Sequence, residues 1–245
     1  MDEQATAKSV GMDTYTMAAK VFTKLRHNLR IGGMLDVNMR NNKSFFASDS
    51  RENPYEWAIY TTRAHNAYDE NGDFNYMYYN DLKFNFLENR EQSWRKSKSF
   101  GLKGTVDIEW KILPDLTFTS LFSFSKSNTT DVDVATEDSA RQKDMQDNTT
   151  FEPVWHDGGY RQSKGTNNSS ITFRNQISYM PVINEDHRFD VMVGQEIRTS
   201  KYEEEKTQIY GYAHDRGHQQ ILQLDLMAKL GVPYWTESMN ETAAV

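Results

Sequence analysis

His214-Asp215-Arg216-Gly217-His218 is the densest group of chemistry-bearing side chains in the chain. Two histidines four apart can hold zinc from one face of a helix. Gly217 lies between them and no helical period surrounds them, so the segment reads as a solvated loop. A second group, Tyr68-Asp69-Glu70-Asn71-Gly72-Asp73-Phe74, puts Asp69, Asn71 and Asp73 at the first three ligand positions of an EF-hand calcium loop. The sixth position should be glycine and is Phe74; the twelfth should be glutamate and is Asn80. A tight turn at Asn71-Gly72, where both residues tolerate positive φ, accounts for the composition. Asp131/Asp133 and Glu137/Asp138 are carboxylate pairs, but glycosidase chemistry needs a frame that holds two carboxylates at a set spacing. They lie in a polar stretch with no such frame. His27, His65, His156 and His187 are scattered, and no Ser/His/Asp set forms. No catalytic, metal or cofactor site is expected, and the chain reads as a non-enzyme.

The aromatic residues of the polar connections are the better candidates. Tyr55, Trp57, Tyr60, Tyr68, Trp155, Tyr160, Tyr210 and Tyr212 lie there, with Tyr76, Tyr78 and Tyr79. On a rigid scaffold such rings could stack on sugars or pack on a partner; they could equally pack loop against loop.

The scaffold that must carry them is written in period 2. Leu102, Gly104, Val106, Ile108 and Trp110 alternate with Lys103, Thr105, Asp107, Glu109 and Lys111. After Leu113-Pro114-Asp115, Leu116, Phe118, Phe122 and Phe124 oppose Thr117, Thr119, Ser123 and Ser125. This is a strand, a tight turn and a strand. Residues 15–40 and 171–198 repeat the pattern. Three hairpins are expected, at about 14–40, 99–126 and 169–200, with strands at 14–22, 29–40, 99–110, 116–126, 169–180 and 187–200. Between and after them run polar connections at about 41–98, 127–168 and 201–245.

Those strands are long. A globular strand averages about 5–6 residues, whereas a tilted membrane strand needs about 9–11. Every second connection exceeds the roughly 12–15 residues usual in compact domains, and all the long ones fall at one end of the strands. That segregation is the arrangement of outer-membrane barrels. The expected fold is therefore all-β: antiparallel up-and-down strands forming an arc of a large transmembrane barrel. Val106, Ile108, Phe118, Phe122, Phe173, Val191 and Val193 should lie on its outer, convex face. The competing architecture is a secreted or surface β-sandwich that binds carbohydrate through the loop aromatics.

Composition fits the barrel. Hydrophobic residues make up 37% and mean hydropathy is −0.80. No run is long and apolar enough for a membrane helix, but alternating strands hide from averaged hydropathy. A formal net charge of −7 argues against a non-specific nucleic-acid binder. There is no cysteine, hence no disulfide framework. The first residues lack a signal-peptide pattern. Six strands do not close a barrel, and free edges in lipid cost several kcal/mol per unsatisfied group. The chain is therefore expected to be a piece of a larger barrel.

Four stretches carry a resemblance to a known family: "NPYEWAIY…AYDENGDF" (53–74), "WKILPDLTFTSLFSFSKS" (110–127), "HRFDVMVGQEIR" (187–198) and "YGYAHDRG" (210–217). In this order, with Gly158-Gly159 between the second and third, the chain resembles the SusC/RagA family of TonB-linked outer-membrane transporters of Bacteroidetes. It departs from the family pattern at Ala64-His65, where Pro-Tyr is expected. The resemblance spans about 11–240. It implies a mid-barrel segment of a barrel of the 22-strand type, without the plug and the TonB-contacting segment. It implies import of oligosaccharides or peptides across the cell outer membrane of a Gram-negative bacterium. A SusD-like lipoprotein lid would be the partner, TonB-ExbB-ExbD would supply energy through parts outside this chain, and lipid would surround the wall. The three long connections would form part of the substrate- and lid-facing rim. The family's ligand contacts follow no fixed motif, so Tyr55, Trp57, Tyr60, Tyr68, Trp155, Tyr160, Tyr210 and Tyr212 are candidate rim contacts by their place in those connections alone.

Overall fold

The computed structural model describes residues 2–4, 10–46, 53–60, 66–79, 82–147, 157–181, 189–220 and 235–244. Trp155 and Ala64-His65 lie outside them. One antiparallel sheet dominates. Its strands are β1 (Asp2–Gln4), β2 (Gly11–Arg26) and β3 (Leu29–Ser44), then β6 (Ser93–Leu113), β7 (Leu116–Ala135), β8 (Gly159–Tyr179), β9 (Val191–Ala213), β10 (Gln219–Gln220) and β11 (Trp235–Ala244). Between β3 and β6 lie helix α1 (Pro54–Tyr60), a small hairpin of β4 (Met77–Tyr79) and β5 (Leu82–Phe84), and helix α2 (Phe86–Gln92). Helix α3 (Ala140–Asp147) follows β7. The strand order is β1-β2-β3-β6-β7-β8-β9-β10, with β11 also on β9, and the sheet curls into a half-barrel.

The turns explain the hairpins. His27-Asn28 and Pro114-Asp115 each close a strand pair in two residues. Proline presets φ for a turn and cannot donate to a ladder. Each pair has a register shift just before its turn, at Lys24/Arg26 and at Lys111/Leu113. The Asn28 side chain donates to the Lys111 carbonyl (3.1 Å), and the Lys111 amide donates back to Asn28 O (2.8 Å). At this end the connections are tight. At the other end they run through 45–92 and 136–158.

Register assembles the faces. Residues opposite one another share a face. One row is Val21, Gly33, Val106, Phe122, Phe173 and Ile197; another is Leu29, Trp110, Phe118, Ile177 and Val193. An apolar band therefore crosses β2, β3, β6, β7, β8 and β9 without a break in strand pairing. Its one polar row is Ser120, Asn175 and Gln195, level with Ile108. Nothing covers the band among the described residues: Val106 is 46% exposed, Phe122 45%, Phe173 41% and Val193 69%. Among the described residues no second sheet stacks on it, and the sheet curls into a half-barrel and not a sandwich.

The band also shows how the strands sit. Its upper edge falls at Met39, Phe100, Phe124, Ile171 and Ile197. From Met39 to the Ile197 row it drops six residues along the strands while crossing four strand spacings. At about 3.3 Å per residue and about 4.8 Å per strand, that is a slope near 45°. Outer-membrane strands tilt by about 35–45°. A band that runs level across strands tilted by that much shows this drift.

The strands outrun their sequence pattern. β7 continues to Ala135, β8 begins at Gly159 and β9 reaches Ala213. Just above the band both faces are polar, over 125–131 of β7 and 161–170 of β8, so the period-2 contrast vanishes there although the backbone ladder continues; Val132 and Val134 resume it at the tip of β7.

An uncovered apolar face has a consequence in water. Burial contributes about 25 cal/mol per Å², and the band withholds that area from folding. Residues 1–245 without lipid or detergent are expected to aggregate, with the free edges as templates. Sizing and thermal melting in detergent-free buffer check this. A soluble monomer with a sharp cooperative melt would contradict the membrane reading.

Candidate functional site

The face opposite the band is mostly hydrophilic, with Phe22, Met34, Leu121 and Met192 among its apolar exceptions. Its central row holds Asp107, Leu121, Arg174 and Glu196. Arg174 and Glu196 are paired, Arg198 joins Glu196 at 2.9 Å, and Arg30 reaches Glu109 at 2.9 Å. Higher rows are hydroxyl and amide: Thr105 faces Ser123, and Ser125 bonds Ser170 at 2.8 Å.

Above the level of the band, this face forms a cavity of about 460 Å³ lined by Arg95, Asp131, Asp133, Gln162, Lys164, Glu204 and Lys206. The residues come from four neighbouring strands. Asp133 is nearly fully buried and accepts from Arg95 Nε (2.5 Å) and a terminal guanidinium nitrogen (2.8 Å). That hydrogen bond raises the Arg95 pKa further above its ordinary value. Lys164 pairs with Glu204 at 2.9 Å, and the Tyr202 hydroxyl donates to the same carboxylate. These two donors hold Glu204 below the usual glutamate range, the Lys164 bond first. A depressed carboxylate contributes stability above its unfolded pKa, about 4.3, and loses it as pH falls through the lower folded value. The Glu204 carboxyl should titrate below the ordinary value by NMR, and Lys164→Gln should move it back up. An unshifted wild-type midpoint would contradict the pairing.

The packed part of the rim adjoins the cavity, with Tyr160 bonded to Gln162 and Phe46 beside Arg95. Phe46 stacks on Tyr160 (centroids 6.0 Å apart, planes 11°), and Tyr210 tilts against Tyr160 at 5.1 Å. Phe46, Ala135 and Tyr160 form its buried centre. The Tyr160 hydroxyl donates to Gln162 (2.9 Å) and accepts from Gln208 (2.8 Å). Burial, first of all, pushes its pKa above the ordinary tyrosine value. Arg141 sits 4.9 Å from both the Phe46 and the Tyr160 ring centroids. Only glycine fits at 159: a Cβ there would lie 2.2 Å from the Ala135 carbonyl oxygen.

Helix caps tie the long connections to this centre. Asn85 Oδ1 accepts from Leu87 N and Glu88 N, while its Nδ2 donates to the carbonyls of Ala67 (2.8 Å) and Asn75 (2.6 Å). Asn89 accepts from Ala140 N at 2.8 Å, and Gln92 O accepts from Thr136 N at 2.8 Å. Ser139 caps α3 toward Gln142. The signals were in the sequence: Ser139-x-x-Gln142 has the capping-box form, and Asn85 is followed three residues on by Glu88. The sequence pattern alone did not single them out.

The candidate aromatics fall into two groups. Tyr160, Tyr210 and Tyr212 lie at the tips of β8 and β9. Tyr212 is buried, stacked on His218, and its hydroxyl lies 2.7 Å from His218 Nδ1. Trp57 on α1 packs edge-on to Phe84 (5.1 Å) and flat on Phe86 (5.7 Å). Tyr55 and Tyr68 remain half-exposed, against Phe45 and Phe74. Tyr60 ends α1. Cavity-lining residues missed by sequence reasoning, Arg95 and Gln162 among them, are polar strand residues with no local signature.

The segments read as near-metal motifs have other work. Asp69 Oδ1 accepts from Asn71 N (2.9 Å) and Asp73 N (3.0 Å), and Gly72 takes φ of 88°. His214 sits edge-on to Trp94, away from the His218–Tyr212 stack.

No protein-family model and no curated protein matches the chain. Solved structures do. The chain is similar to the RagAB peptide transporter, with TM-score 0.71, 16% identity, and coverage of 96% of this chain and 25% of that one. The RagAB peptide importer in its closed-closed state matches with TM-score 0.71 and in its open-open state with 0.68, at the same identity and coverage. The chain thus spans about a quarter of the length of these structures. Strand order, the curled antiparallel sheet and this match agree: in fold, the chain is an arc of a large antiparallel β-barrel, similar to part of the barrel in the RagAB structures.

Proposed function

We propose that this chain is a wall and rim segment of a TonB-dependent outer-membrane transporter that imports oligosaccharides or peptides. The observation that carries the reading is the continuous apolar band, set back to back with a hydrophilic wall across six strands. A lipid-facing outside and a water-filled inside call for that pairing. In this reading the six strands are wall, and the tied connections form the rim that meets substrate and a SusD-like lipoprotein lid. Tyr55 and Tyr68 are half-exposed and are the proposed contacts; Tyr160 and Tyr212 are buried and shape the rim from beneath. TonB-ExbB-ExbD would act through other parts of the transporter, and no bond in the substrate would be broken.

The test is made on cells carrying the gene. Its product should fractionate with the outer membrane and copurify with a lipoprotein. Uptake of labelled peptides or oligosaccharides should collapse when either this gene or TonB is removed. Uptake that persists without TonB would leave a passive pore, and recovery from the soluble fraction would overturn the reading.

A further inference from the structure

The outward face changes character just above the apolar band. Within the next two outward positions stand Lys43 on β3, Lys98 and Lys96 on β6, Lys126 on β7 and Lys201 on β9, while β8 carries Ser169 and Asn167 and β2 carries Asp13. All five are exposed. The register puts Lys43 directly opposite Lys96. Lys201 pairs with Glu203 on its own strand. Among the described residues no carboxylate pairs with Lys43, Lys96, Lys98 or Lys126; Lys96 lies over the Trp94 ring at 5.8 Å. The lower edge of the band instead carries Trp110, Phe118 and Tyr179.

We propose that these lysines form a phosphate-binding girdle for the anionic glycolipid of the outer leaflet, the lipid A class. The inference rests on the membrane reading above, which places the long connections outside the cell. Lysine stems lie along apolar surface while the ammonium reaches the headgroup level. An ammonium is a compact point charge that binds phosphate without needing a fixed fork. Clustering opposes the general charge of the chain, which is −7. On the inward face at comparable height Lys164 is met by Glu204. The outward lysines are left for a ligand that comes with the membrane.

The test dilutes the full chain from urea into phosphatidylcholine vesicles with and without one-fifth lipid A. Flotation reads binding, and quenching of Trp110 by brominated acyl chains reads insertion. Each lysine near an anionic surface contributes about fivefold in binding. Lipid A should raise partitioning at least tenfold at low salt, and 0.5 M NaCl should shrink the gain. The quadruple variant Lys43→Gln, Lys96→Gln, Lys98→Gln, Lys126→Gln should lose the gain while inserting into neutral vesicles unchanged. Lipid A that leaves wild-type binding unchanged or weakens it, as repulsion of a −7 chain would, overturns the girdle. So does a gain that survives in the variant, or one competed away by inorganic phosphate at equal phosphate concentration. Recovery of the gene's product from the soluble fraction of the cell sinks the membrane reading itself, and that outcome is distinct from loss of the lipid A gain.

Discussion

Val106→Arg is expected to destabilise the membrane-inserted barrel that contains this chain by about 2–4 kcal/mol, while Thr105→Arg next to it changes stability by less than about 1 kcal/mol. Val106 lies near the middle of the band on β6, between Gly33 and Phe122 in the register, and is 46% exposed with nothing over it. An arginine there meets hydrocarbon. Thr105 points the other way, toward Ser123, into a wall already lined with hydroxyls and charges. The two substitutions add the same side chain to neighbouring residues, so strand propensity and chain charge cancel from the comparison. Urea titration of the inserted protein measures both. Equal losses, or a larger loss at 105, would mean the band does not face lipid.

Tyr160→Ala is expected to cost about 3–5 kcal/mol, in the range of aromatic truncations in cores, and to act on the rim alone. Tyr160 is 2% exposed, stacked on Phe46 and touched by Tyr210. Its hydroxyl joins Gln162 and Gln208. Truncation opens a hole at the junction of β7, β8 and β9 and strips a partner from two glutamines. Hydrogen exchange should speed up around Ala135, Arg161 and Ile209, and the amides of 104–124 in the band should hold their protection. Tyr160→Phe keeps the stack and should cost only about 1 kcal/mol. Loss of protection throughout both regions would show one cooperative unit and contradict a separately packed rim.

Much of the wall was legible in the sequence because its causes are local. Alternation in 102–110 and 116–124 marks strands, and Pro114-Asp115 marks their turn. Short turns at one end and long connections at the other marked the barrel class. The extra length of β7, β8 and β9 was not legible. Once both faces are polar, nothing in Thr129, Thr130 or Asp131 distinguishes a strand from a loop, and only the hydrogen-bonded neighbour does. Near-metal spellings at 68–74 and 214–218 were read as turn and loop from their glycines. Gly72 does take positive φ, and the histidines at 214 and 218 pack on different rings.

The tertiary structure alone decided the rim. Arg95 meets Asp133 from 38 residues away, and Gln208 meets Tyr160 from 48. It also decided that Tyr160 and Tyr212 are buried while Tyr55 and Tyr68 stay half-exposed. It set the polar row Ser120, Asn175 and Gln195 across the band, and the lysines above it, by register. Sequence by itself determined which residues share a face within a strand, because side chains alternate along any extended chain. Which strands stand beside one another, and at what offset, is set by pairing between distant segments, and the site is built from those offsets.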